Sequence, residues 1–341
     1  MDMVGLAKEL ERQKTNSLDL IVDSGTLKTI PNVAGDIGLA IPGWGEYPLT
    51  EWAHLQLAEK LQIPKKYYDR MRFNGKSWLL AENINAWLPE KERRLIRILD
   101  GKIRAILSDR YRIMDNYDVL FLALEEFKKK ETVEVYRADL TETMFYLKAV
   151  DKSLTAEIKD NDIVYGGLII RNSEVGASAF RVEPFILRKI CMNGLIGEYS
   201  LKRIHLGRQT LETGEIDWSD ETRELEDKAL WSRIRDMIKA TFDGKIFSYW
   251  VERLMESTEL EVEKPRVAVE NVVKLYGLSQ EQRDFLLMHF SEKTKYGLVD
   301  AVTTLARESE SVDEQVRLEE LGGKILDTLE SEFERLFNEG G

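Results

Sequence analysis

The apolar residues change period along this chain, and that change limits the folds open to it. Between Arg93 and Leu206, outside a helical stretch at 116–129 and the run 185–195, they recur at every second position or in short unbroken runs, the spacing of strands. Beyond Asp217 they recur every three to four residues, the spacing of helices. Strands gathered in one stretch and helices in another point to an α+β protein rather than to alternating βα units. The expected architecture has N-terminal helices, a central, mainly antiparallel sheet with one crossing helix, and an all-helical acidic C-terminal region.

Individual segments carry their own signals. Asp100-Gly101 lies between the β-rich runs 95–99 and 102–107, which predicts a hairpin with a two-residue turn. A helix is expected over 116–129 and strands over 133–136, 144–150, 163–171 and 177–184. Residues 185–195 read as a helical extension, and 199–206 as a strand or helix start. Before the hairpin, 1–14 reads as a short amphipathic helix. The stretch 24–47 is rich in Gly and Pro and reads as loop with short strand. Thr50 is placed to cap a helix, and further helices are expected over 64–71 and 77–88. The C-terminal helices are expected over about 219–241, 243–256, 265–276, 279–291, 295–306 and 312–337. This divides the chain into 1–90, 91–210 and 218–341, with the last boundary at 210–218, where Gly207, Thr213 and Gly214 cluster.

A net charge of −12 argues at first against a nucleic-acid partner. The charge is not evenly spread, however: residues 1–90 carry −2, 91–208 carry +4 and 209–341 carry −14. The acidity belongs to the C-terminal third, and the middle is mildly basic. One cysteine, Cys191, excludes an internal disulfide and a Cys-rich metal site. No run approaches the length of a membrane span and the first ten residues lack a signal-peptide stretch, so a cytoplasmic protein with no membrane partner is expected.

The common catalytic and nucleotide-binding motifs are missing: there is no phosphate loop, dinucleotide fingerprint, His-Glu-x-x-His or nucleophile elbow. Three scattered histidines, His54, His205 and His289, leave little room for a His-based site. No cofactor is expected. Residues 56–71 resemble a helix-turn-helix, with Ala58 at the close-packed position and Lys65, Lys66 and Tyr68 opening the second helix. Gln62 stands where a turn glycine is usual, and plain packing is the favoured reading. Asp100, Asp109, Asp115 and Asp139 could suggest a metal-dependent nuclease, but Asp100 belongs to a turn and Asp115 to a helix cap.

The strongest constellation is basic and aromatic. Arg93, Arg94, Arg97, Lys102, Arg104, Arg110, Tyr111 and Arg112 surround the hairpin, and Arg171, Arg181, Arg188, Lys189, Lys202, Arg203, His205 and Arg208 follow. Alternation along strands can gather such side chains on one sheet face, which would track phosphates and stack bases. The opposing reading is a solvated face balanced by neighbouring acids.

At these residues the chain resembles a family. Pro48-Leu49-Thr50, Gln56-Leu57-Ala58-Glu59-Lys60-Leu61, Asn83-x-Asn85-x-Trp87-Leu88, Arg97-x-Leu99-Asp100-Gly101, Ser108-Asp109-Arg110-Tyr111-Arg112, Asp115-Asn116, Ile170-Arg171-Asn172-Ser173-Glu174 and Cys191-x-Asn193-Gly194 occur in the order seen in phage- and plasmid-associated proteins. That family is catalogued as a domain of unknown function, and the resemblance spans roughly residues 35–210. It implies a mobile-element setting rather than an activity. A compact antiparallel sheet with a crossing helix is also similar, in architecture alone, to the core of single-strand annealing proteins.

The leading expectation is therefore a non-enzymatic protein that binds single-stranded DNA, with annealing or recombination as its setting and a homo-oligomer as its form. The contact residues are expected to be Arg104, Arg110, Tyr111, Arg112, Asn172, Arg181, Arg188 and Lys189. The arginines would meet phosphates, Tyr111 would stack a base, and Asn172 would order the turn at 173–176. Two alternatives stand beside it: a metal-dependent hydrolase or nuclease working through Asp109 and neighbouring polar residues, and a structural or host-interaction protein with the acidic helices as its partner surface.

Overall fold

The computed structural model describes residues 2–32, 35–88, 92–189, 191–197, 201–204 and 220–338. The expected boundary at 210–218, with His205 and Arg208, lies outside these. Among the described residues the fold is α+β, with twelve α-helices and three antiparallel sheets.

The central sheet runs in the order β11-β10-β9-β8-β7, built from β7 (Val133–Leu140), β8 (Phe145–Glu157), β9 (Ile163–Asn172), β10 (Phe180–Arg188) and β11 (Gly194–Ile196). A short strand, β12 (Leu201–Ile204), pairs the start of β10. So 185–195 is not helical: the apolar run there continues β10, and Met192, in the left-handed region at φ 55°, helps turn the chain into β11. An unbroken apolar run is ambiguous between a buried strand and a buried helix, and here the sheet takes it.

This sheet is covered on both faces. Phe145, Leu147, Leu168, Ile170, Phe180 and Val182 on one face pack against α1 (Met3–Asn16), α5 (Asn116–Phe127) and α6 (Asp220–Thr241). Tyr146, Val150, Ile169, Phe185 and Leu187 on the other meet Val316 of α11 (Val312–Asp327). Coverage on both faces explains why β8–β10 read as continuous apolar runs rather than as alternation.

A second sheet, β1-β5-β6, joins β1 (Ser17–Asp23) to the hairpin of β5 (Arg93–Leu99) and β6 (Lys102–Ser108). Strand pairing thus crosses the expected division at residue 90, with Ser17 opposite Leu99 and Asp23 opposite Arg93. Asp100 and Gly101 turn the hairpin at φ 50° and 73°, both in the left-handed region that the two-residue turn requires. The third sheet, β2 (Lys28–Pro31), β3 (Ile37–Ile41) and β4 (Gly45–Pro48), occupies the Gly/Pro-rich stretch expected to be mostly loop. Its inward residues Ile37, Leu39 and Ile41 form a core with α2 (Glu51–Lys60), α3 (Lys65–Phe73) and α4 (Ser77–Trp87).

The C-terminal helices α7 (Gly244–Glu259), α8 (Pro265–Tyr276), α9 (Gln280–His289), α10 (Lys295–Glu308), α11 and α12 (Glu330–Phe333) share one core, which also takes in Val164, Ile186 and Leu195 of the sheet. The single helix expected over 312–337 breaks at Thr328, because Phe333 and Phe337 must turn back into that core. No described helix is long and apolar enough to cross a membrane.

α11 docks closely on β11. A Cβ at Gly323 would run into the backbone carbonyl oxygen of Ile196. Gly323→Ala gains helix propensity of about 1 kcal/mol but forces the two backbones apart, so a net loss of about 1–3 kcal/mol is expected. Urea unfolding midpoints of the variant and the parent check this; an unchanged or raised midpoint would show that the backbones can separate freely.

Candidate nucleic-acid interface

The motif residues of the middle third do converge, but inward. Arg97 on β5, 2% exposed, donates to Asp19 at 2.8 and 3.1 Å, to Asp115 at 3.0 Å and to the Glu174 carbonyl at 2.9 Å. Arg104 on β6 is buried and pairs with the Glu174 carboxylate. The other Glu174 oxygen accepts the Asn116 N–H at 2.6 Å. So the cap of α5 comes from Glu174, not from Asp115, whose side chain makes no capping bond.

Asn172, fully buried, donates to the Met114 carbonyl and to Asn116 Oδ1, each at 2.8 Å. The turn at 173–176 is ordered instead by Ser173, whose Oγ accepts from Val175 N and Ala177 N and donates to the Thr143 carbonyl. Tyr111 donates to the Ser173 carbonyl at 2.7 Å, and burial pushes its hydroxyl up to about 12. These residues clamp the β9–β10 loop onto the β5–β6 hairpin. A phosphate cannot reach Arg104, and a base cannot reach Asn172, without opening that clamp.

The remaining expected contacts are mostly neutralised by carboxylates. Arg112 meets Glu226 at 2.9 Å and Asp227 at 3.3 Å on α6. Arg181 lies 3.5 Å from Glu320 and 3.7 Å from Glu183, and Arg171 pairs with the same two acids. Arg188 binds Asp162 at 2.8 Å and pairs with Asp300, its guanidinium over the Tyr296 ring. Only Arg110 and Lys189 of the eight are exposed, with no side-chain partner among the described residues. The basic middle and the acidic C-terminal third, segregated in sequence, are thus paired in space.

Three of the four aspartates that could serve hydrolysis are similarly occupied. Asp100 accepts from Arg12 and Asn16, Asp115 binds Arg97, and Asp139 pairs with Arg137 at 2.6 Å. Asp109 stands apart, with Ser108 Oγ at 3.5 Å. Among the described residues no group of three or more His, Cys, Asp or Glu side chains is placed to hold a metal ion.

A different surface carries unpaired cations and exposed rings. α2, a turn and α3 do form a helix pair, with Gln62 in the left-handed region at φ 54° where glycine is usual. Tyr68 does not lead α3 outward: it is fully buried, its hydroxyl 2.8 Å from His54 Nδ1. Burial, followed by the nearby Arg72 charge, pushes His54 down to about 4, so the ring is neutral near pH 7. Arg72 also points inward, bridging Asp36 at 2.6 and 2.8 Å and Glu51 at 2.8 and 3.0 Å.

With Tyr68, Met71 and Arg72 turned in, the helical period turns Lys66, Tyr67, Arg70 and Phe73 out. The turn into α4 adds Lys76, and α4 adds Trp78 and Leu79. Phe73 is 69% exposed, Trp78 52% and Tyr67 48%. Lys66, Arg70 and Lys76 make no ion pair among the described residues, because the local acid, Asp69, is held by Lys65 at 2.5 Å. Glu82, a turn beyond Trp78, is the exposed acid on α4. The signal was present in the sequence: residues 65–78 hold five Lys or Arg, four aromatics and one acid. A groove-binding helix-turn-helix would need Tyr68 at the surface, whereas Tyr67, Phe73 and Trp78 are the rings exposed here.

Compared with known protein families, curated proteins and solved structures, the chain gives no match in any of the three.

Proposed function

We propose that the protein binds single-stranded nucleic acid, with the α3–α4 surface as the contact. The observation that carries this reading is the combination of three unpaired cations, Lys66, Arg70 and Lys76, with three exposed rings, Tyr67, Phe73 and Trp78, on two adjoining helices. Cations release counterions from a phosphate backbone, and exposed rings stack bases whatever their identity. Bases inside a duplex are already stacked, so rings at a surface favour a single strand. Annealing of complementary strands is the activity such binding would serve in the mobile-element setting that the family resemblance implies.

Fluorescence anisotropy with labelled single- and double-stranded oligonucleotides across a salt series tests this. Trp78→Ala is expected to weaken single-strand binding by about 1–3 kcal/mol, the worth of one stacked base. Arg70→Ala is expected to reduce the slope of log affinity against log salt by about 0.7–1. Arg181→Ala and Arg188→Ala, whose charges are already neutralised within the chain, should leave that slope unchanged. Absence of salt-sensitive binding, or α3–α4 variants that bind like the parent, would remove the proposal.

A further inference from the structure

β7 and β8 pair from Leu140–Phe145 back to Val133–Asp151, where β7 begins, and the Lys152 N–H still reaches the Thr132 carbonyl at 2.9 Å. β8 continues to Glu157 after a bulge, still paired with β9 through Thr155, Ala156 and Glu157. On the other side, residues 153–157 have no strand partner among the described residues. An unpaired strand edge presents backbone donors and acceptors ready for another strand. Natural edges are commonly blocked by proline or by charges; residues 153–157 hold no proline, and their one charge, Glu157, sits at the far end of the edge and accepts from the Asn161 N–H at 2.7 Å.

The bulge also changes what this edge faces. Leu154 and Ala156 turn toward α7, and between them lies an open groove of about 510 Å³. Leu154, Ala156, Phe247, Val251 and Met255 form its apolar lining, with Met255 42% exposed. Its charged lining is wholly anionic: Glu252, without an ion pair among the described residues, and Glu256, 3.3 Å from Arg253. A strand added beside β8 would place alternate side chains in this groove, and a cation on that same face or at the strand end would meet the two glutamates.

We propose that the free edge of β8 and the α7 groove dock an extended, basic peptide segment of a partner protein by strand addition. The strand edge sets the extended conformation, the lining selects apolar side chains at alternate positions, and Glu252 with Glu256 selects cations. The proposal does not depend on the nucleic-acid reading, which concerns other helices.

Titrating the full chain into a labelled peptide of alternating valine and threonine ending in a lysine pair tests it. Saturable binding is expected, with protection from hydrogen exchange of those amides in 154–157 that do not already bond to β9; the Ser153 N–H is already held by Asp151 Oδ1 at 2.9 Å. A peptide with prolines at alternate positions should not bind, since it lacks the N–H groups the edge must meet. Met255→Glu, at an exposed position whose thermal unfolding can be checked against the parent, should bind about tenfold more weakly. Glu252→Lys should weaken the lysine peptide and favour its glutamate counterpart. Equal binding of the proline peptide, no effect of either variant, or no binding of the lysine peptide would overturn the proposal. So would self-association of the chain that protects the same amides without any peptide, which would assign the edge to a second copy.

Discussion

Glu319→Ala is expected to destabilise the protein by about 3–5 kcal/mol at neutral pH, the cost of leaving a buried charge alone. Glu319 on α11 accepts from Lys148 on β8 at 2.5 and 2.7 Å, and the two side chains are 2% and 3% exposed. Burial already holds the Lys148 ammonium below its usual range, against the opposing pull of Glu319. Without Glu319 that depression deepens. A lysine with a depressed folded-state pKa destabilises the fold as pH falls, so the variant should recover part of its deficit as pH rises toward the ordinary lysine range. Replacing both residues, Lys148→Met with Glu319→Leu, should restore most of the stability, because an apolar pair needs no desolvated charge. Guanidinium unfolding at several pH values decides this. Equal stability of Glu319→Ala and the parent would mean that α11 does not seal the sheet.

Acidification should cost the fold about 3 kcal/mol between pH 6.5 and 4 through His54 alone. His54 is 1% exposed, and burial, then Arg72, holds it down to about 4 from an ordinary 6.5. The unfolded chain therefore takes up a proton in this window that the folded chain refuses, and stability falls as pH falls. Glu51 and Asp36 act in the same direction. The Arg72 hydrogen bond lowers Glu51; burial pushes Asp36 up, but Arg72 and the Ile37 N–H more than offset it. In His54→Gln, which keeps a polar partner for Tyr68 but cannot titrate, unfolding free energy should fall less steeply over this window. The same steepness in both proteins would mean that His54 is protonated in the folded state.

Local signals in the sequence were reliable where one neighbour decides the outcome. Asp100-Gly101 made the expected turn, and Thr50 accepts from Ala53 N at 3.3 Å as the expected cap of α2. Signals failed where distant partners decide. The short strands at 28–48 are held by packing against α2–α4, which outweighs the Gly and Pro content of that stretch. Asp115 looked like a cap because of its place before α5, but Arg97 claims it and Glu174 caps the helix from 58 residues away.

The amino-acid sequence by itself determined the fold class, the period of each long element and the uneven spread of charge, because these follow from side chains a few residues apart. Only the tertiary structure decided which charges remain free. A strand's alternation can gather arginines on one face, but whether water or a helix covers that face depends on residues far along the chain. Here Glu319 and Glu320 of α11 close over Lys148, Arg171 and Arg181, while Lys66, Arg70 and Lys76 on α3–α4 are left open to solvent.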